Sequence, residues 1–167
     1  AVTVGPGLEG ALLVGVTAGN MLAQSLKIPL VPVNHLHGHI YAASSDSALV
    51  FPSLICLASG GHTMIIYMKN NLQFEVVANT MDDACGECFD KVARMLDLGY
   101  PGGPKIEALA KKGNPKAFDF PRPMTDKDNL NFSFSGLKTA VLYEYKTLRK
   151  ISEKTKADIA ASFQEAV

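Results

Sequence analysis

The chain has no net charge, only three cysteines in 167 residues, and no apolar run of the roughly 18 residues that a membrane-spanning helix needs. An odd cysteine count gives no secreted disulfide framework, so we expect a reducing, cytoplasmic setting without membrane association. We also expect no signal peptide, because no basic segment precedes a short apolar stretch. The composition is 47% hydrophobic and 19% charged, a balance typical of a globular protein with a core.

The zero net charge hides an uneven distribution along the chain. Residues 1–104 carry 4 basic and 8 acidic side chains, whereas residues 105–156 carry 12 basic and 6 acidic ones. The basic stretch could contact a polyanion such as a nucleic acid. Taken on charge alone, a solvated helical surface is the simpler interpretation.

Both ends of the sequence resemble cuts within a longer protein. The chain begins in a strand-like run without an initiator methionine, and it ends in an amphipathic helix without a Gly, Asn or Pro stop signal. These ends predict a fragment of a longer protein.

Hydrophobic periodicity predicts an α/β protein without internal repeats. A hairpin is expected where two apolar runs flank a Gly-Gly turn at residues 50–69, followed by a third strand at 72–79. Thr80 is expected to cap the helix that follows. A long irregular segment is predicted at 115–136. Further strands are predicted at 1–4 and at 29–34, and the second of these is expected to be buried. Further helices are predicted at 8–28, 35–45, 100–114, 137–150 and 154–167.

Three of the four histidines fall within the segment NHLHGH at residues 34–39. His35 and His39 are four residues apart, so on a helix both imidazoles lie on one face and could share a metal ion. Zinc proteases place a glutamate base after the first histidine, but Leu36 occupies that position here. Two histidines do not complete a metal site, and polar histidines at a helix start are the alternative.

Two glycine turns offer backbone N–H groups that an anion could approach closely. The first, SGGHT at 59–63, lies between two predicted strands, and an ordinary hairpin turn is the better interpretation of it alone. The second, YPGGP at 100–104, enters a helix whose start could face a phosphate or a sugar. Glu107 lies one turn into that helix.

Acidic residues and cysteines share one predicted helix start. Asp82, Asp83, Glu87 and Asp90 suit the positive end of a helix dipole, and one of them could instead bind a ribose hydroxyl. The C-x-x-C pair Cys85 and Cys88 is typical of redox or zinc chemistry. No second C-x-x-C exists in the sequence, so buried packing residues are the favoured interpretation.

Taken together, these motifs resemble the universal tRNA threonylcarbamoyladenosine synthases. The bacterial members are the TsaD proteins, formerly described as O-sialoglycoprotein endopeptidases. The resemblance covers essentially the whole chain, in family order, through the segments GPGLEGALLVG, VNHLHGHIYA, SGGHT, DDACGECFDKVARMLDLGYPGGPKIEALAKKGN, FPRPM and FSFSGLKTA.

The resemblance implies an actin-like ATPase fold (ASKHA, ribonuclease H-like), with two lobes and a helical insertion. Residues 1–50 would end the first lobe and 51–167 would form much of the second. The family's first phosphate-binding strand, a later nucleoside-binding Asn and the Asp that completes the metal site would be missing. We therefore expect this fragment alone to be inactive.

The resemblance also implies an activity and a set of site residues. The family transfers the threonylcarbamoyl group of threonylcarbamoyl-AMP to N6 of the adenosine beside the anticodon, in tRNAs reading codons that start with A. His35 and His39 would ligate one divalent ion, iron or zinc, and the cleft would bind threonylcarbamoyl-AMP or ATP. No catalytic side chain is certain, and the implied substrate contacts are Leu57, Ala58, Ser59, Gly60, Gly61, Asp90, Gly103 and Glu107.

The sequence departs from the family in two places. His37 stands where many bacterial members have a glutamate that is not a ligand, and Cys85 and Cys88 replace small residues.

The partners that the resemblance implies are tRNA, a TsaB-like paralogue and a TsaE-like ATPase. Three alternatives stay open: a metallopeptidase, a sugar-kinase-like phosphotransferase that would need a catalytic aspartate, and a non-catalytic scaffold.

Overall fold

A computed structural model describes residues 1–44, 48–125, 128–148 and 151–167. The chain divides into two compact units, Ala1–Phe51 and Pro52–Val167, and each is described by itself. Both units combine strands and helices, which confirms the predicted α/β class. The assignment of residues 1–50 and 51–167 to two actin-like lobes stays a prediction.

The described part of the first unit is a parallel strand pair with two helices. Strand β1 (Val2–Gly5) pairs with β2 (Pro32–Asn34), and the connection between them carries helix α1 (Glu9–Leu26), because parallel strands need a crossover. Helix α2 (His35–Ala42) follows β2 directly. The prediction of a buried strand at 29–34 is wrong: within the described part of this unit, β2 pairs with β1 alone, and two of its three residues are exposed.

The second unit begins with a three-stranded antiparallel sheet. Its strands β3 (Ser53–Ala58), β4 (Thr63–Asn70) and β5 (Gln73–Asn79) lie in chain order. Ala58 pairs with Thr63, so the four residues 59–62 form the tight connection of the first hairpin. The predicted hairpin and third strand are confirmed.

In the described part of this unit, four helices supply most of the core. They are α3 (Cys85–Met95), α4 (Gly102–Ala110), α5 (Ser135–Thr147) and α6 (Glu153–Ala166). Phe89 and Phe163 meet edge to face with ring centroids 5.0 Å apart, joining α3 to α6. The fully buried apolar side chains include Val92, Leu96, Ile106, Leu137, Val141, Ile159 and Phe163. Packing of these faces positions the ends of α3 and α4 relative to each other.

The segment before α3 corrects the predicted helix start. Thr80 does not cap a helix; α3 begins at Cys85, and its cap residue Ala84 offers no side-chain hydrogen bond. Thr80 instead forms a parallel bridge with Phe132, and the N–H of Met81 donates to the Phe132 carbonyl at 2.8 Å. Pairing with a residue distant in sequence therefore overrides the local capping signal.

Among the described residues, no helix is both long and apolar enough to cross a membrane.

Candidate functional site

The histidine pair lies where strand β2 turns into helix α2. The side-chain oxygen of Asn34 accepts hydrogen bonds from the N–H groups of Leu36 at 2.8 Å and His37 at 3.4 Å. This cap starts the helix at His35, so that His35 and His39 are separated by one full turn. Local capping thus creates the geometry that the spacing predicts.

The two imidazoles fit a shared metal ion. Their Nε2 atoms lie 3.1 Å apart, and both side chains are exposed. Ligands about 2.0–2.1 Å from a tetrahedral zinc lie roughly 3.3 Å from each other, so the pair already has a suitable separation. Across residues 1–44, 48–125, 128–148 and 151–167, no third His, Cys, Asp or Glu joins them. The described residues therefore supply two ligands.

Ser59 closes the glycine turn of the second unit. Its N–H donates to the His62 carbonyl at 2.8 Å, and its Oγ accepts the N–H of His62 at 3.1 Å. The same hydroxyl also contacts the His62 carbonyl at 3.2 Å. The hydroxyl of Ser59 is therefore engaged within the turn.

Gly60 and Gly61 present the free donors of the turn. Both residues are exposed, and a Cβ built on either would meet nothing within 4 Å. Among the residues described, their N–H groups donate to no protein acceptor. Of the neighbouring predicted contacts, Leu57 has a buried side chain and Ala58 is exposed. The turn thus offers backbone N–H groups, the arrangement that binds anions.

A hydrogen bond joins the second group of predicted contacts. The N–H of Gly102 donates to Asp90 Oδ1 at 2.7 Å, so the middle of α3 is attached to the start of α4. Asp90 Oδ2 has no partner within the described part of the chain, and Gly103 faces open space. Glu107 lies one turn beyond Gly103, on the same helix face. Asp90, Gly103 and Glu107 are thereby brought to one helix junction.

Glu107 is solvent-exposed and paired with a neighbour. Its carboxylate contacts Lys111 Nζ at 2.7 Å, one turn along the helix. The hydrogen bond from Lys111, aided by its charge, lowers the pKa of Glu107. The side chain is therefore charged and accessible.

Asp82 has a role that sequence reasoning did not identify. Its carboxylate accepts hydrogen bonds from Ser133 Oγ at 2.6 Å and from the N–H groups of Phe134 at 2.8 Å and Ser135 at 3.1 Å. Partial burial would raise the pKa of Asp82, but these donors outweigh it and lower the pKa. Through these hydrogen bonds, Asp82 links the end of the irregular segment and the start of α5 to the residues before α3.

Asp83, the next residue, forms ion pairs with two lysines. It lies between Lys138 Nζ at 2.6 Å and Lys91 Nζ at 2.8 Å, with its side chain 14% exposed. Burial raises the pKa of Asp83, but the bonds from Lys138 and Lys91 outweigh it, so the pKa is lowered. The sequence carried no signal for Lys138, which lies 55 residues away.

The C-x-x-C motif is part of the packing. Cys88 is fully buried in the core, and its Sγ lies 3.6 Å from the Phe134 carbonyl. Burial raises the pKa of Cys88 to about 12, and burial followed by the nearby Cys56 raises that of Cys85. A reactive thiol needs a lowered pKa, so the geometry opposes redox chemistry at this motif.

Comparison with known proteins places these features in one family. The profile of a family described as "TsaD: tRNA N6-adenosine threonylcarbamoyltransferase" matches residues 1–167. Proteins with that name in Clostridium perfringens and Thermotoga neapolitana are 54% and 52% identical over the whole chain. One from Staphylococcus epidermidis is also 52% identical over the whole chain. The chain covers 50%, 50% and 49% of these proteins respectively, about half the length of the curated relatives it matches.

Proposed function

Because the chain belongs to the tRNA N6-adenosine threonylcarbamoyltransferase family, TsaD, we propose that the whole protein modifies tRNA. It would transfer threonylcarbamoyl from threonylcarbamoyl-AMP to N6 of the adenosine beside the anticodon, in tRNAs that read codons starting with A. The actin-like α/β fold class follows from the same membership. The observation that carries the proposal is the His35–His39 pair, whose Nε2 atoms are 3.1 Å apart in a chain matched over its full length.

His35 and His39 would hold one divalent ion, iron or zinc, through their Nε2 atoms. When bound, such an ion supplies Lewis-acid polarisation of a carbonyl group. The Asn34 cap keeps both rings on consecutive turns of α2, which orients them for a shared ligand. Coordination needs neutral imidazoles, so acid should weaken metal binding.

The glycine turn would hold the adenylate leaving group. The free N–H groups of Gly60 and Gly61 can donate to a phosphate, and preorganised donors of this kind stabilise charge that develops there. Leu57, Ala58 and Ser59 would contribute through the backbone and the shape of the strand end. None of these groups supplies a nucleophile, and direct transfer to the adenosine amine needs none.

The nucleoside would lie at the junction of α3 and α4. Asp90 Oδ2 is free to accept a ribose hydroxyl while Oδ1 holds Gly102. Gly103 lies beside that bond and lets a ligand approach the backbone, and Glu107 offers an exposed carboxylate one turn on. ATP would fit the same groups.

Exposed lysines in the basic stretch would contact tRNA. Lys112, Lys116 and Lys146 are exposed and have no ion-pair partner among the described residues, whereas several of their neighbours are paired. Three further basic residues of the stretch, Lys127, Arg149 and Lys150, lie outside the described residues. We expect Lys112→Glu/Lys116→Glu to reduce the slope of log K against log salt by roughly 2 for tRNA binding. An unchanged slope in filter-binding titrations would place tRNA on another surface.

The cellular context follows from the same proposal. A TsaB-like paralogue and a TsaE-like ATPase would act with the protein in the cytoplasm. The metallopeptidase alternative is disfavoured, because Leu36 occupies the position of the general base. Nothing in the site favours a sugar-kinase or a scaffold role over acyl transfer.

The decisive experiment compares the histidine pair with its neighbour. His35→Ala/His39→Ala and the control His37→Ala are made in the protein expressed from its complete gene. Elemental analysis should find about one metal ion in the wild type and in the control, and none in the double variant. With unmodified tRNA, threonylcarbamoyl-AMP and both partners, transfer should fall at least about 100-fold in the double variant alone. Transfer that survives the double variant would refute the proposed mechanism.

A further inference from the structure

The glycine turn and helix α3 are held together by two backbone donors. The N–H of Gly86 donates to the Ser59 carbonyl at 3.1 Å, and the N–H of Cys85 donates to Thr63 Oγ1 at 2.8 Å. Cys85 and Gly86 are the first two residues of α3, whose N–H groups have no partner within the helix. The two ends of the turn therefore receive the first two donors of the helix.

The turn replaces the missing cap of this helix. Ala84 precedes α3 and has no side-chain acceptor, unlike Asn34 before α2 or Ser152 before α6. The Ser59 carbonyl and the Thr63 hydroxyl take the place of a capping side chain. Thr63 is 5% exposed, so losing its hydroxyl would leave the partly buried N–H of Cys85 without its acceptor.

Gly86 makes this approach possible because it has no side chain. A Cβ at residue 86 would lie 2.7 Å from the Ser59 oxygen, 2.8 Å from the Ser59 carbonyl carbon and 2.9 Å from the Gly60 Cα. All three atoms belong to the backbone, so no flexible side chain can move aside. Any larger residue at 86 must push the turn away from α3 or pull the helix start out of place.

We propose that Gly86 and Thr63 are positioning residues that set where the free N–H groups of Gly60 and Gly61 point. This inference rests on the proposed role of the turn in binding the adenylate. Two contacts with the helix and the internal bonds of Ser59 fix the turn before a ligand arrives. Neither residue touches the ligand; both act through the backbone of residues 59–61.

Gly86→Ala tests the close approach, with Gly136→Ala as the matched control. Gly136 is also the second residue of a helix in the same unit, but its added Cβ would lie 3.5 Å from Pro123 Cγ, an ordinary contact. With the protein from its complete gene, Gly86→Ala should raise KM for threonylcarbamoyl-AMP about 10- to 100-fold. Metal content should not change, whereas kcat/KM should fall by at least the factor by which KM rises, because the same donors would stabilise charge on the leaving group. Gly136→Ala should stay within roughly twofold of wild type.

Thr63 provides a second pair of variants in case Gly86→Ala does not fold. Thr63→Val keeps the shape and removes the acceptor, whereas Thr63→Ser keeps the hydroxyl. We expect Thr63→Val to raise KM about fivefold and Thr63→Ser to restore it. Equal KM values for these two variants, or for Gly86→Ala and Gly136→Ala, would overturn the proposal.

Hydrogen exchange separates this inference from the proposed function. Without any ligand, the hydrogen-bonded amides of Ser59, His62, Cys85 and residue 86 should exchange at least about tenfold faster in Gly86→Ala than in Gly136→Ala. If the unaltered protein turned over no threonylcarbamoyl-AMP, the proposed function would fall, and this comparison would still decide how the turn is held. Equal exchange in the two variants would show that Gly86 does not position the turn.

Discussion

The two units hold their candidate ligand groups in opposite ways. In the described part of the first unit, Ala23 and Ile40 are the only buried apolar residues, and the imidazoles project from a helix of eight residues. In the second unit, backbone donors lie on a turn attached to a helix that packs into an extensive core. The histidine pair therefore depends on local helix geometry, whereas the glycine turn depends on tertiary packing.

This difference predicts which substitutions will disturb each site. Where local geometry sets the positions of the ligand atoms, loss of a helix cap should displace them most. Substitutions in a distant core should displace them little. Where packing sets the positions of the donors, loss of core volume or of a partly buried ion pair should displace the elements that hold the site. Four substitutions probe the contrast, in order of decreasing effect.

Phe163→Ala should have the largest effect, and it should be confined to the second unit. The ring is fully buried and contacts Phe89, so its removal leaves a cavity that costs about 3–5 kcal/mol in free energy of unfolding. Leu13→Ala in α1, where the side chain is 65% exposed, should cost less than about 0.5 kcal/mol. Urea denaturation measures both, and equal losses would contradict the contrast in packing.

Asp83→Asn should cost about 2–3 kcal/mol at neutral pH, because Lys91 and Lys138 both lose a charged acceptor. The pKa of Asp83 is lowered by folding, so its stabilisation is complete above the unfolded value near 4 and is lost as pH falls through the folded value. The stability difference between wild type and variant should therefore be largest at neutral pH and should shrink as the pH falls from neutral to below about 4. A difference that stays constant through this range would show that the carboxylate charge is not responsible.

Asn34→Ala should cost about 1 kcal/mol by removing the cap of α2, and metal affinity should fall several-fold with it. Ser152→Ala is the counterpart, since Ser152 caps α6 through the N–H of Thr155 at 3.0 Å. It should cost about as much stability without changing metal affinity. Thermal unfolding and metal titration together test this, and equal metal affinities in the two variants would show that local capping does not set the histidine pair.

Glu107→Gln should have the smallest effect. The carboxylate is exposed and, among the described residues, pairs with Lys111 alone, so Tm should not change measurably. A contact with the nucleoside would instead appear as a higher KM for threonylcarbamoyl-AMP. If KM is also unchanged, Glu107 is not part of the site.

Sequence reasoning succeeded where the information was local. The spacing of His35 and His39 and the Gly60-Gly61 turn each depend on a few consecutive residues, and the structure reproduces both. The family resemblance, confirmed over the whole chain, rested on the same short motifs. The roles of these residues in ligand binding stay predictions.

Prediction from the sequence failed where segments far apart along the chain contact each other. Thr80 satisfied the rules for a cap, but pairing with Phe132 removed it from that role. Gly86 carried one usable signal, since glycine inside a helical pattern often marks a close approach, but its partner at Ser59 lies in another motif. No periodicity could link Asp83 to Lys138, because ion pairs across 55 residues depend on the packed fold.

The unequal exposure of the three thiols gives the protein an internal attachment point for a dye. Cys56 is exposed in β3, whereas Cys85 is half-buried with a raised pKa and Cys88 is fully buried. Of the three thiols in this chain, Cys56 should therefore couple to a maleimide fluorophore first. Because Cys56 lies three residues before Ser59, its emission would report events at the glycine turn in real time.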